Sequence, residues 1–562
     1  MNADRLLQHY EQIADAPDAI ARLRRFVLDL AVRGKLVLQD PKDEPASELL
    51  RRIAVVKSLS PRKERAKGRE EGLSKGGTDF PLPVGWASAP FSDLVAVLNG
   101  RAYKQQELLS AGVPVLRVGN LFTSDKWYYS DLHLPEDKYC DNGDLIFAWS
   151  ASFGPFIWSG ERVVYHYHIW KLVLHSEADL SKLYLYNFLL QKTREIKNAG
   201  HGISMIHMTK EKMEQLSVPL PPLAEQHRIV AKVDELMALC DQLEAARTER
   251  ETKRDRLAAA SLARLNTPDP ETFRDDARFA LDALPALTAR PDQIKQLRQT
   301  ILNLAVRGKL VAQDPADEPS NNFLKRIQLS KARSRKPTAE IDGRNIPYDI
   351  PKTWNWVTLE QILVFGPQNG ISPRPTDRED APKAITLTAT TSGTFNPAYF
   401  KRVDGKFPPE SDFWLSEGDL LFQRGNTPEY VGMAAVYHGP PQTFLFPDLI
   451  IKVRVSDDVD LSYVHLASVS PSSRQYLTEN ASGAQATMPK INQTTLLSLP
   501  IALPPLAEQR RIVAKVEHLM ALCDQLEVSL TSANATRKKL LDALLAEALV
   551  PMQAATLREA AE

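Results

Sequence analysis

A block of 24 residues written twice constrains this chain more than any other feature. Pro221 to Glu244 reads PPLAEQHRIVAKVDELMALCDQLE, and Pro504 to Glu527 reads PPLAEQRRIVAKVEHLMALCDQLE, with three differences in 24 positions. In the first copy Ile229, Val233, Leu236, Cys240 and Leu243 recur in alternating steps of four and three. That spacing lays one dry stripe along a helix. Ile512, Val516, Leu519, Cys523 and Leu526 keep the same register in the second copy. Two matching stripes in one chain predict that the two helices pack on each other along these ten residues. Each helix follows a Pro-Pro pair, where proline suits the first turn, and Glu225 or Glu508 complements the positive end of the helix dipole.

A second block is duplicated ahead of the first. Leu23 to Pro45 (LRRFVLDLAVRGKLVLQDPKDEP) reappears as Leu297 to Pro319 (LRQTILNLAVRGKLVAQDPADEP). A short helix over 18–34, with Gly34 as its stop, is expected here and again before Gly308. The sequences between the matched blocks barely agree. The chain is therefore one frame built twice, carrying two divergent inserts, and the inserts are expected to differ in what they bind.

Both inserts open alike, with PLPVGW and DIPKTW placing Trp86 and Trp354 in corresponding positions. The first carries strand patterns at Val113–Val118, Asp144–Trp149 and Arg162–Leu174, then a helix at Lys182–Ala199. The second carries them at Ala384–Thr388, Gly418–Arg424 and Leu449–Val455, then a helix near Tyr463–Leu477. The fold class is α+β, with two α/β inserts on a helical frame. The expected divisions are a helical region at 1–78 and the first insert at 79–219. A central region at 220–346 follows, holding one long helix and the second front block. The second insert takes 347–502, and the last long helix 503–562.

Composition narrows the function. The 70 Lys and Arg balance 70 Asp and Glu, which argues against a stand-alone nucleic-acid binder, usually basic. Basic residues gather at Lys57–Lys75 and Lys325–Lys336, each between frame and insert, as a solvated linker or as a segment that touches phosphates. No apolar run approaches the ~18 residues of a membrane span, and the first residues lack the pattern of a secretory signal, so a cytoplasmic protein is expected. Cys140, Cys240 and Cys523 form no metal-ligand spacing or disulfide framework and are expected to be packing residues.

Catalytic motifs are missing. Asn396-Pro397-Ala398-Tyr399 departs from the NPPY pattern of adenine methyltransferases by its second proline, and no glycine-rich loop follows a strand to hold a methyl donor. Pro447-Asp448 with Lys452 lacks the acidic residue of a nuclease core, because Ile450 stands in its place. No GxxxxGK phosphate loop occurs. His166 and His168 alternate as a metal pair does, but no third ligand stands at a diagnostic spacing.

The duplicated blocks LAVRGKLVxQDPxDEP and PLPPLAEQxRIVAKVxxLMALCDQLE closely resemble the conserved regions of the specificity subunit of type I restriction-modification systems. Gly143–Trp158 (GDLIFAWSASFGPFIW) and Gly418–Gly432 (GDLLFQRGNTPEYVG) resemble parts of that family's target recognition domains. The resemblance implies two such domains, each reading half of a bipartite site on double-stranded DNA. It further implies two long antiparallel coiled-coil helices that separate the domains like a ruler, in a pseudo-two-fold internal repeat. A helix of the 45 residues from Pro221 to Leu265 spans on the order of 65 Å, close to two turns of B-DNA at about 34 Å each.

The resemblance implies no catalysis and no cofactor in this chain. Two modification subunits would methylate adenine with S-adenosylmethionine, and two restriction subunits would supply the ATP- and Mg-dependent cleavage. Base-reading residues diverge in that family, so the candidates rest on chemistry: polar or basic side chains beside Gly or Pro near strand ends. In the first insert these are Arg101, Tyr103, Lys104, Asn120, Trp149, Ser150, Ser152, His207 and Lys210. In the second they are Gln368, Asn369, Arg374, Thr391, Arg424, Asn426, Thr427 and Lys490. The competing reading is a coiled-coil scaffold whose inserts bind protein partners.

Overall fold

The computed structural model describes residues 15–59, 80–150, 153–199, 208–331, 341, 346–483 and 488–549. The chain divides into two compact units, Met1–Glu249 with Asn534–Glu562, and Arg250–Ala533.

In the first unit, α1 (Ala19–Val32) and α2 (Ala46–Leu59) precede the insert. The strands β1 (Ala87–Pro90), β2 (Val95–Asn99), β3 (Val113–Leu116), β4 (Tyr128–Ser130), β5 (Tyr139–Cys140), β6 (Leu145–Ala148), β7 (Gly154–Ile157), β8 (Val163–Tyr165) and β9 (Ile169–Leu174) follow. Next come α3 (Lys182–Ala199) and β10 (Ser217–Leu220). Antiparallel pairing of β1 with β10 closes the insert into a loop on the frame. Inside it, β2-β9-β6-β7 form one sheet and β4-β3-β8-β5 another. Leu49 and Ile53 of α2 and Leu185 and Phe188 of α3 pack on Val97, Phe147 and Leu172 of the first sheet.

The pattern at Arg162–Leu174 was expected to be one strand, and the structure breaks it in two. Residues 163–165 pair in one sheet and 169–174 in the other, with a turn at His166-Tyr167-His168. The cause is the main chain of Gly100 and Arg101, which crosses at the turn. Arg101 N–H donates to Tyr165 O (3.1 Å), and Tyr167 N–H donates to Arg101 O (3.0 Å). A Cβ at residue 100 would lie 2.3 Å from His166 O, so only glycine allows the crossing. Alternation of apolar residues survives a change of sheet, which is why the sequence pattern did not reveal it.

The long helix α4 (Leu223–Asn266) leads into α5 (Phe273–Asp282), α6 (Pro291–Val306) and α7 (Ser320–Lys331). The second insert holds β11 (Asn355–Thr358), β12 (Leu363–Asn369), β13 (Lys383–Ile385), β14 (Phe400–Arg402), β15 (Leu420–Gln423), β16 (Ala434–Val436), β17 (Phe444–Leu445) and β18 (Ile450–Val455). It ends with α8 (Leu461–Val469), α9 (Pro471–Glu479) and β19 (Pro500–Leu503), before the last long helix α10 (Leu506–Leu549). Pairing of β11 with β19 repeats the neck, and the sheets are β12-β18-β15-β16 and β14-β13-β17. Two expectations are corrected here. Ala384–Thr388 is a strand only to Ile385 and then a 3-10 turn. The single helix near Tyr463–Leu477 is two, because Ser470 caps a new start at Pro471.

The ten stripe residues do not find their partner where the sequence placed it. Ile229, Val233 and Leu236 pack on Val27, Leu28 and Ala31 of α1 and on Tyr184. Cys240 is buried further along the same helix, and Leu243 is half-buried. Ile512, Val516, Leu519, Cys523 and Leu526 lie in the core that holds Ile294, Ile301 and Ala305 of α6. Each stripe is thus covered by the short helix of its own copy, and duplicated ion pairs fasten that contact. Arg24 reaches Asp241 and Glu244 at 2.6 Å, and Arg298 reaches Asp524 at 2.6 Å and Glu527 at 3.2 Å. A four-three spacing says that a face is dry, not what covers it.

The far ends of the long helices complete each unit. In the first, Leu541 and Leu544 of α10 pack on Ala16 and Ala19. In the second, Ala258, Leu262 and Leu265 of α4 pack with Ala280, Leu287 and Leu297. Each short helix therefore contacts the N-terminal part of one long helix and the C-terminal part of the other, so the repeat is the same with the roles exchanged. No described helix is long and apolar enough to cross a membrane.

Candidate nucleic-acid interface

The two duplicated blocks meet and lock each insert to its helix. Glu225 is buried, and its Oε2 accepts from Trp86 Nε1 (3.0 Å) while Oε1 accepts from Gln39 Nε2 (3.0 Å). Glu508 does the same with Trp354 (3.0 Å) and Gln313 (3.1 Å). Burial holds both carboxyls above the usual carboxylate range, against these hydrogen bonds and the nearby Arg228 or Arg511. The adjacent glutamines reach the inserts: Gln226 Oε1 accepts from Ser181 N–H and Gln509 Oε1 from Asp460 N–H, each at 2.8 Å. Glu225 and Glu508 were expected only to complement a dipole. They also bind the duplicated blocks together.

This lock sets the two inserts in corresponding frames, and one end of each four-stranded sheet gathers the candidate residues. In the first insert Gly100 N–H donates to Ile169 O (3.2 Å) and Trp149 N–H to His168 O (3.1 Å). In the second Gly370 N–H donates to Ile450 O (3.2 Å) and Arg424 N–H to Leu449 O (2.7 Å). Trp149 and Arg424 therefore occupy the same place, just past the strand that follows the Gly143-Asp144 or Gly418-Asp419 turn. The strand base is held by ion pairs, Asp144 to Lys171 (2.5 Å) and Asp419 to Arg454 (2.5 Å).

Around Trp149 the surface is aromatic and basic. Its ring stacks on Trp170 at 5.7 Å, and its Nε1 donates to Tyr167 O (2.8 Å). Arg101 pairs with Glu107 at 2.8 Å and lies 5.2 Å over the Tyr103 ring, so its charge is already met. Burial pushes the Tyr103 hydroxyl up to about 12. Lys104 opens the 3-10 turn at Gln105–Glu107, and its N–H donates to Glu107. Asn120 builds its own loop, accepting from Arg117 N–H and donating to the carbonyls of Ser124 and Lys126. Ser150 is half-buried beside Trp149. Lys210 lies apart on a short helix, paired with Glu214 at 3.3 Å. Ser152 and His207 lie outside the described residues, as do residues 60–75 and 332–336 of the two basic segments.

Sequence reasoning passed over Arg117, Lys126, Tyr128 and Tyr167. Arg117 and Lys126 lie 5.1 and 5.2 Å from the centre of the Tyr128 ring, and Tyr167 is 40% exposed. The interleaved basic and aromatic residues of Arg117–Tyr128 were the available signal. His166 and His168 belong to this end too, their rings 5.0 Å apart. Burial, with His168 and Arg117 nearby, lowers His166 to about 4 and keeps it neutral at neutral pH. Among the described residues no group of His, Cys, Asp and Glu is arranged to hold a metal ion.

The second insert brings more of its candidates together. Gln368 and Asn369 end β12, and Gln493 Nε2 donates to Asn369 Oδ1 (3.3 Å). Arg424, Asn426 and Thr427 follow β15, and Lys490 bridges to Gly425. Thr391 accepts from Gln423 Nε2 at 3.2 Å, and Asn426 Nδ2 donates to Gln423 Oε1. Arg374 is exposed on the loop after β12. The two catalytic look-alikes serve the fold. Asn396 accepts from Ala398 N–H in a turn, and the buried Lys452 donates to the carbonyls of Asp412 and Trp414.

A family model described as a type I restriction modification DNA specificity domain matches residues 83–251 and 351–532. The chain is 29% identical to the type I restriction enzyme EcoEI specificity subunit of Escherichia coli, over 94% of each chain. It is 26% identical to the EcoAI specificity subunit of the same species, over 93% of each. A solved HsdS subunit from Thermoanaerobacter tengcongensis is similar at a TM-score of 0.41 and 17% identity, covering 84% of this chain and 98% of that one.

Proposed function

The chain belongs to the type I restriction modification DNA specificity family, and from that premise we propose that each of its two inserts reads one half of a bipartite DNA site. It is the recognition subunit, and a scaffold that binds only protein finds no support in its relatives. One observation carries the two-headed reading: the same sheet end occurs twice, each held by the same kind of lock to its own long helix, but lined by Trp149, Tyr167 and His168 in one insert and by Arg424, Asn426 and Lys490 in the other. Like scaffolds with unlike reading edges suit two different half-sites. The long helices, running antiparallel, set the spacer between them.

Methylation and cleavage belong to partners, two modification and two restriction subunits. These bring S-adenosylmethionine, ATP and Mg, and the assembly works in the cytoplasm. Borrowed positive charge accounts for a recognition subunit of zero net charge. The test is to replace residues 80–218 with the corresponding insert of a relative and map methylated sites. One half of the site should change and the other remain. A change in both halves, or in neither, would refute independent reading heads.

A further inference from the structure

We propose that Arg424 is the base-reading residue of the second insert and that it reads a guanine from the major groove. This deepens the DNA-recognition reading above and rests on it. Arg424 stands on a fixed pedestal. Its N–H donates to Leu449 O (2.7 Å) and its carbonyl accepts from Ile491 N–H (2.8 Å), so the backbone is fixed on both sides. The preceding Gln423 is fully buried, and its Nε2 donates to Leu387 O (3.0 Å) and Thr390 Oγ1 (3.0 Å). The following Gly425 is closed in by Lys490 and Leu449, whose side chains would lie 3.1 and 3.2 Å from an added Cβ.

On this rigid support Arg424 is half-buried, and its guanidinium makes no hydrogen bond or ion pair among the described residues. Arg454 is committed to Asp419, Arg402 to Ala381 O, and Arg474 to the carbonyls of Val431 and Glu429, while Arg374, which has no such pair either among the described residues, is exposed on a loop. A phosphate contact tolerates a mobile side chain, but base reading needs a donor pair held in place. The planar fork of arginine matches O6 and N7 of guanine, the commonest specific contact in that groove. At the same position of the first insert, the only donor of the Trp149 side chain is given to Tyr167 O. A guanine contact from this position of the sheet therefore belongs to the half-site of the second insert alone.

The experiment uses the chain assembled with its modification subunits and DNA randomised in one half-site at a time. The wild type should require guanine at one position read by the second insert. Arg424→Gln should flatten the preference at that position by roughly 10- to 100-fold and leave the first half-site unchanged. Lys490→Ala, at an exposed neighbour, should instead weaken binding to all sequences alike. Arg424→Lys keeps stem and charge, and guards against a folding failure of the glutamine variant: it should retain a reduced guanine preference. Uniform weakening by Arg424→Gln, an unchanged guanine preference in both variants, or a wild-type half-site without an invariant guanine overturns the proposal. Failure of the underlying reading looks different, because the wild-type complex would then select no sequence at all.

Discussion

Ile512→Asp should unfold much of the second unit. Ile512 is fully buried in the core that α10 shares with α6 and the insert. Losing an isoleucine from such a site removes about 2–3 kcal/mol of transfer free energy. Desolvating a carboxylate with no partner costs several kcal/mol more, or forces it to take up a proton. Together these approach the whole stability of an ordinary domain, about 5–15 kcal/mol. Ile229→Asp should do the same in the first unit, where Ile229 is equally buried against α1. Leu522→Asp is the control, since Leu522 is 41% exposed on the same helix and should cost no more than about 0.5 kcal/mol. Thermal melting and recovery of the assembled complex measure all three. Equal melting of Ile512→Asp and Leu522→Asp would show that the stripe is not buried as described.

Those residues also show what was legible in the sequence. Periodicity identifies the buried face of each long helix from residue order alone, because a stripe must be dry wherever it lies. The partner was not legible: α1 and α6 are short and amphipathic, and nothing in a spacing distinguishes them from a second long helix. Duplication revealed the frame, and the strand patterns placed β6 and β15, which end just before Trp149 and Arg424. The crossing at Gly100 was hidden, because contacts between residues 100 and 166 are long-range and leave no local pattern. The same holds for the Trp86–Glu225 lock, whose members are 139 residues apart. Arg101 and Asn120 looked like binding residues by type, but the structure turns them toward Glu107 and toward their own loop.

The second large effect concerns helix length. Both α4 and α10 continue from one unit into the other, near Glu249 and near Ala533, so the proposed ruler is tested by extending both. Seven residues inserted after Glu249 and seven after Ala533 add about 10 Å to each axis. Seven residues are within roughly 20° of two full turns, so each stripe keeps its phase. At about 3.4 Å per base pair, the gap between half-sites should widen by up to about three base pairs, with both half-sites unchanged. Lengthening one helix alone leaves the pair mismatched and should impair assembly. Mapping methylated sites for the doubly lengthened protein reads the outcome, and an active variant with unchanged spacing would refute the ruler.

The most direct test of the account needs no substitution. The wild-type chain, assembled with its modification subunits, is mixed with DNA of random sequence, and the bound fragments are sequenced. The account predicts two short constant blocks separated by an unconstrained gap of fixed length. A single uninterrupted block, or fragments with no common sequence, would contradict it.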